Sequence, residues 1–399
     1  MRKLNKTAAC GILAAALAAG TLSGCSKAID GTKTVATVGD EKVTLGLASY
    51  MVRDQQAQTT SYYNMLMSQY GVSGSASNVW DQKGDDGKTV GESSKDGVMT
   101  TINQLYVLKA HAADYDVTIT EDEEKAIKEA AAEFIKDNDE KILKKLAVSE
   151  DDIVTYLELV TIRSKMHDPM TADVDTEVSA NEKDQTRVTI VKVSTEGTEK
   201  DDDGNTIDLT DEEKAQKKDL AQQVLDKVKA SDDVANADMD ALAKEVDDSL
   251  SATTPAFTTA GSTDDTLDEA VQDAALELKD GEVADSVIEG DDGYYVVRLD
   301  KMLDEDATEN KEKTVISERK SDLYDSTLED WVKEEKIKVK DKVWDQITVT
   351  DSASFVYKSA DSSDDTESSD AQDSTEDTSS QDNSEDTTTE DTAAEDSAE

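Results

Sequence analysis

The chain has little of several things that chemistry usually needs. In 399 residues there are two cysteines, two histidines and two prolines, and aromatics make up 4%. Two cysteines cannot build a disulfide scaffold or a four-thiolate zinc site. Basic side chains are outnumbered, 42 Lys and Arg against 92 Asp and Glu, for a formal net charge of -50. A surface this negative repels phosphate backbones, so nucleic acid is excluded as a partner. The P-loop, GxGxxG and CxxC motifs are all missing. Glu199–Gly204 opens like a calcium loop, but the twelfth position from Glu199 is Thr210 rather than the glutamate such a loop requires. His111 and His167 stand in no spacing that makes a metal site or a nucleophilic triad. No cofactor and no metal are expected.

What is present first is an address. Residues 1–24 carry Arg2, Lys3 and Lys6, then an apolar run from Ala8 to Ala19 that is too short to span a bilayer. Leu22-Ser23-Gly24-Cys25 resembles a bacterial lipobox, which implies a signal peptide over 1–24 and lipidation at Cys25. The expectation is a protein held by its amino-terminal lipid at the extracytoplasmic face of the cell membrane. Lipidation would consume Cys25 and processing would discard Cys10, leaving no thiol for catalysis. At the other end, Ala360–Glu399 holds 16 acidic residues and no basic one. It cannot bury enough apolar surface to offset its ordering entropy. A disordered acidic tail is expected over 351–399.

Between these ends, 25–34 reads as a linker and 35–170 as a mainly helical region. VATVGDEKVT alternates about Gly39-Asp40 and predicts a hairpin from Val35. A helix is predicted over Leu45–Met67, a loop over Gly71–Gly97, and helical periodicity again from Ile102. Thr120 is an N-cap candidate with acids in the turn that follows, another helix is expected to begin near Ser149–Asp152, and Met166–Pro169 is expected to end it. The tyrosines and methionines of Tyr50–Tyr70 suit either a helical core or an adaptable surface for apolar segments. Residues 185–305 read β-α-α-α-β-β, with strands over Arg187–Ser194, Val283–Val287 and Tyr294–Leu299. Residues 306–350 return to helix, with Ile337–Val339 extended. The fold class expected is α+β.

With these parts in order, the chain resembles the PrsA- and SurA-like extracytoplasmic foldases over most of residues 35–350. VATVGDEKVT is similar to the family's amino-terminal strand-turn-strand. Leu105–Glu129 is similar to its helix, break and helix. LELKDGEV (Leu276–Val283) followed by GYYVVRL (Gly293–Leu299) resembles the end of a parvulin prolyl isomerase domain, and IKVKDKVWD (Ile337–Asp345) the closing segment. The resemblance implies a helical chaperone module, 35–170 with 306–350, carrying an inserted parvulin-like domain at 185–305. Its partners would be unfolded or partly folded exported polypeptides, and a homodimer is left open.

Two departures bear on chemistry. Parvulins carry a histidine in the first strand and another in the last. The resemblance lays Thr189 and Tyr295 at these places, and Leu267 and Val271 where the family lines its proline pocket. Prolyl isomerisation needs no nucleophile, only an apolar cradle and a polar network that favours the twisted amide. Thr189, Leu267, Val271 and Tyr295 are therefore the candidate pocket, in which Thr189 and Tyr295 can hydrogen-bond each other or pack as strand neighbours. The reading is a foldase that binds exported chains with its isomerase chemistry in question. The alternatives are an active isomerase and a surface lipoprotein with a structural or ligand-binding role.

Overall fold

The computed structural model describes residues 17–22, 29–69, 79–198, 200, 206–262 and 267–357. Cys25, the start of the leader and the acidic run from Lys358 lie outside the described residues. The first element, β1 (Leu17–Leu22), falls within the leader expected from sequence. The hairpin forms as its alternation predicts: β2 (Thr34–Val38) and β3 (Glu41–Thr44) pair antiparallel, with Val38 opposite Glu41. Gly39 turns the chain at φ +57, a conformation that costs glycine little. Then α1 (Leu45–Gln69) begins without a break.

The next helix starts earlier than expected. α2 (Val90–His111) takes in residues read as loop up to Gly97. Its start is a capping box: Glu92 N donates to Thr89 Oγ1 at 3.1 Å, and Thr89 N donates to Glu92 Oε2 at 2.9 Å. Gly91 and Gly97 lower local propensity and hide the helix. A Cβ at Gly91 would stand 2.1 Å from Val349 O, so glycine there admits the returning carboxyl-terminal segment.

α3 (Glu121–Asp137) and α5 (Glu150–Met170) begin where the sequence reading places them and are capped by Thr120 and Ser149, with the short α4 (Glu140–Leu146) between them. α5 runs through Pro169 and ends one residue later. So late in a helix, the ring's missing N–H removes one bond without breaking the turns before it. The inserted part follows α6 (Ala180–Lys183). It contains β4 (Gln185–Ser194), α7 (Asp211–Lys229), α8 (Met239–Lys244), β5 (Ala252–Thr253), β6 (Ala256–Thr258), α9 (Glu269–Leu276), β7 (Ile288–Glu289) and β8 (Gly293–Lys301). The sheet order is β5-β4-β8-β7, with β6 also on β4, and every pairing is antiparallel. Val283 makes only an isolated bridge to Arg298, and the strand expected at 283–287 forms instead at Ile288–Glu289.

The chain returns through α10 (Glu305–Glu334), β9 (Ile337–Val339), α11 (Asp341–Trp344) and β10 (Ala353–Tyr357). Residues 353–357, assigned by composition to the tail, belong to the fold, and Phe355 is 2% exposed. One apolar core joins α1, α2, α3 and α5 to Leu328, Trp344, Ile347 and Phe355. The three-stranded sheet β3-β2-β9 stitches the two ends of this helical module, with Val38 opposite Ile337. Two further cores fill the two faces of the inserted sheet.

α10 connects the parts. At its start Arg187 Nε reaches Asp304 Oδ2 at 2.5 Å, and Gln185 N donates to Thr308 Oγ1 at 3.0 Å. Near its end Trp331 stacks on His111 of α2, ring centroids 4.1 Å apart. Among the described residues no helix is long and apolar enough to cross a membrane.

Candidate functional site

Side chains alternate across a strand, so β4 divides its residues between two cores. Val191 and Val193 face α7 and α8, together with Tyr294 and Val296. Val188 and Ile190 face α9, together with Tyr295, Val297, Leu299, Phe257 and Val271. Thr189 therefore points away from Tyr295. It lies opposite Arg298 in the β4–β8 ladder, whereas Tyr295 lies opposite Lys192. Thr189 Oγ1 donates to Asp300 Oδ2 at 2.6 Å and accepts from Arg298 Nη2 at 3.3 Å. The Arg298 guanidinium goes on to the carbonyls of Val234 and Ala237, at 3.2 and 2.8 Å. This buried network fastens the sheet to the segment before α8, and the expected Thr189–Tyr295 pair does not form. A slip of one residue moves a side chain to the other face. Ile190, not Thr189, shares the face of Tyr295.

On the α9 face, the other three candidates do come together. Val271 is fully buried, Leu267 packs half-buried on the same cluster, and Tyr295 is 4% exposed. The Tyr295 hydroxyl donates to Asp292 Oδ1. Lys192 Nζ stands 2.5 Å from Asp292 Oδ2 and 6.0 Å from the Tyr295 ring centroid. Lys192, and after it the Tyr295 hydroxyl, hold the Asp292 carboxyl below the usual carboxylate range. Burial, reinforced by the Asp292 carboxylate, pushes the Tyr295 phenol well above its ordinary value. Gly290 allows the turn before β8 to close over this point: a Cβ there would stand 2.4 Å from Asp268 Oδ2 and 2.9 Å from Tyr295 Cε2.

Sequence reading missed Ile190, Phe257, Lys192 and Asp292. For Ile190 and Lys192 the signal was the alternation of RVTIVKVS, which places both on one face once the register with β8 is known. The result is an apolar floor with a phenol, a carboxylate and an ammonium at its margin. The ammonium keeps donors beyond the one given to Asp292, and the phenol oxygen keeps acceptor capacity. A peptide carbonyl can be held there, but no imidazole faces it. His111 stacks on Trp331, and His167 lies 5.4 Å from Tyr324, both in the helical module. Among the described residues no group of three His, Cys, Asp or Glu side chains is placed to hold a metal ion.

Residues 199–312 match the family described as the PPIC-type PPIase domain. The chain carries a parvulin-type peptidyl-prolyl isomerase domain. The match to this parvulin-type domain begins after β4, the strand on which Ile190 stands, and takes in Leu267, Val271, Asp292 and Tyr295. No curated protein sequence matches the chain. Among solved structures, the chain is similar to the foldase protein PrsA from Lactococcus lactis, at 14% identity over 78% of this chain and 96% of that one, TM-score 0.31. It is similar to the peptidylprolyl isomerase PrsA from Bacillus cereus, at 17% identity over 79% and 96%, TM-score 0.29. It is also similar to a SurA-like chaperone from Campylobacter jejuni, at 10% identity over 77% and 98%, TM-score 0.24.

Outside the parvulin-type domain, α1 divides into two halves. Tyr50 is core, edge-on to Phe134 and Tyr156 at 5.3 and 5.0 Å. Tyr62 and Met65, further along, are 57% and 61% exposed. Beside the helix lie two cavities, of about 180 and 440 Å³, that share Gln55, Val98 and Thr101 as lining. Met51 and Tyr156 line the first, and Trp80 and Val90 the second. Both readings of the Tyr- and Met-rich stretch thus have a place in it: core at its start, exposed apolar surface at its end.

Proposed function

We propose that this protein is a lipid-anchored foldase that binds unfolded, exported polypeptides at the extracytoplasmic membrane surface. In this reading its parvulin-type domain serves to bind rather than to isomerise. The observation that carries the reading is the α9 face of that domain. It keeps an apolar floor of Leu267, Val271 and the Tyr295 ring, and Ile190 adds an apolar side chain from β4 on the same face. Thr189, the neighbouring polar residue on β4, is spent on Asp300 and Arg298. Transition-state stabilisation of a twisted amide needs groups aimed at the reacting bond. The lipobox at Leu22–Cys25 supports the anchor, and Cys25→Ala should leave an unprocessed chain of higher mass.

The test pairs two assays on the full chain: suppression of aggregation of a chemically unfolded client, and isomerisation of a series of X-Pro peptides. Suppression with background isomerisation is expected. A rate above background that falls in Tyr295→Phe would instead establish a working isomerase built on the Tyr295–Asp292–Lys192 group. That second reading is favoured by the hydrogen bond between Tyr295 and Asp292. Failure of suppression would sink the foldase reading.

A further inference from the structure

The strand β1 lies in the segment that processing at Cys25 would remove, yet it is built into the fold. It pairs antiparallel with β10, Leu17 opposite Tyr357, Ala18 opposite Val356 and Ala19 opposite Phe355. Leu17 is 2% exposed and belongs to the main apolar core. Its backbone N–H donates to Asn138 Oδ1 at 2.9 Å, and Asn138 is itself 6% exposed and held by Nδ2 on Phe134 O at 2.8 Å.

β10 does not depend on β1 for its position. Arg53 Nη1 and Gln56 Nε2 of α1 donate to Ala353 O at 3.3 and 3.1 Å. The Tyr357 hydroxyl donates to Asp54 Oδ1 at 3.1 Å, and the Arg53 guanidinium stands 5.0 Å from the Phe355 ring centroid. Removing β1 therefore leaves an anchored strand with a bare edge, a leucine-sized recess beside it, and a buried amide oxygen without its donor. Unpaired strand edges take up another strand, and a buried acceptor left empty is unfavourable.

We propose that the β10 edge of the processed protein is a docking slot for an extended, uncharged, apolar segment of a client chain. The segment adds antiparallel to residues 353–357, drops a leucine-like side chain into the recess of Leu17, and gives its backbone N–H to Asn138. The precursor's own leader fills the slot, so the unprocessed chain is closed to clients there. The proposal rests on the foldase reading and on leader removal, and it deepens the first by naming the chemistry of what is bound.

The probe is a fluorescent peptide of residues 15–24, with a second peptide carrying Leu17→Asp. Anisotropy is read against processed protein purified from membranes in detergent and against unprocessed Cys25→Ala chain. The expected result is saturable binding to processed protein. Binding should weaken at least about tenfold for the Leu17→Asp peptide, since a buried leucine is exchanged for a charge. The unprocessed chain should show a similar loss, and Asn138→Ala in processed protein a smaller one. No binding by processed protein that still suppresses client aggregation would overturn the slot and leave the foldase reading standing. Peptide binding without suppression would keep the slot and sink the foldase reading. A processed protein that runs as a dimer and refuses the peptide would overturn the proposal in favour of strand exchange between copies. Mature protein that retains residues 17–22 by mass would overturn it as well.

Discussion

Asp268 Oδ2 accepts the backbone N–H of Asp291 at 2.7 Å, and so ties the start of α9 to the turn before β8. The other oxygen of the same carboxylate caps α9 by accepting from Ala270 N at 2.8 Å. One side chain thereby sets how Leu267 and Val271 sit against Tyr295. Asp268→Ala should lower unfolding stability by about 1–3 kcal/mol, for a lost cap and an orphaned amide. It should be read as a fall in urea midpoint at unchanged slope. Asp268→Asn keeps an acceptor and should lose less. Equal losses in the two variants would show that a single acceptor at this position contributes nothing without the second.

The Asp292 carboxyl is a direct reporter of the site. Its folded pKa lies below the ordinary 3.8, with Lys192 the largest cause and Tyr295 the next. A depressed carboxyl contributes stability that is present above the unfolded value and is lost as pH falls through the folded one. Lys192→Met should raise the Asp292 pKa most, and Tyr295→Phe less, as followed by the carboxyl carbon shift in NMR. A Tyr295→Phe effect larger than that of Lys192→Met would reverse the assignment.

Thr189 fastens the fold from the face of β4 opposite to Tyr295. Thr189→Val keeps the shape and removes both hydrogen bonds, leaving Asp300 and Arg298 with only their other partners. A loss of about 1–2 kcal/mol is expected, with client aggregation suppressed as before. Altered suppression in a variant that remains folded would return Thr189 to the site.

The stack of Trp331 on His111 is where the long connecting helix meets the helical module again, with Tyr115 edge-on at 5.8 Å. Trp331→Ala should cost about 2–3 kcal/mol, below the range for a fully buried tryptophan because this one is only half-buried. Hydrogen exchange should quicken first in α10 near Leu328. Uniform quickening over the whole chain would mean that the stack has no local role.

The larger pattern was readable because it rests on periodicity and caps. The alternation about Gly39-Asp40, the helix starts at Thr120 and near Ser149 and the β-branched run of β4 are all local signals, and all hold. What escaped was either short or decided by distant partners. β5 and β6 have two and three residues, too few to carry a period. α2 begins in a glycine- and serine-rich stretch, where Gly91 leaves room for Val349. Phe355 looks like a stray aromatic in an acidic tail until α1 and β1 are placed on either side of it. The pocket was half legible for a related reason. Leu267, Val271 and Tyr295 are placed by the family resemblance of two local segments, but the facing of Thr189 depends on the register between β4 and β8, which no single segment encodes.

The sheet β3-β2-β9 also dictates an order of events as the chain emerges. The hairpin of β2 and β3 is among the first structure to appear, yet its third strand is separated from it by almost the entire described chain. Leu328, Trp344 and Ile347 complete the same core from the far end. The parvulin-type domain draws on residues 185–301 alone for its sheet and can close while its host is still open. Contacts between remote segments form late, because loop closure must precede any gain from them. The guest is thus expected to fold before the module that carries it. Until Ile337 arrives, the helices of that module remain as exposed as the unfolded chains the protein is proposed to hold, and equally dependent on being kept from aggregation.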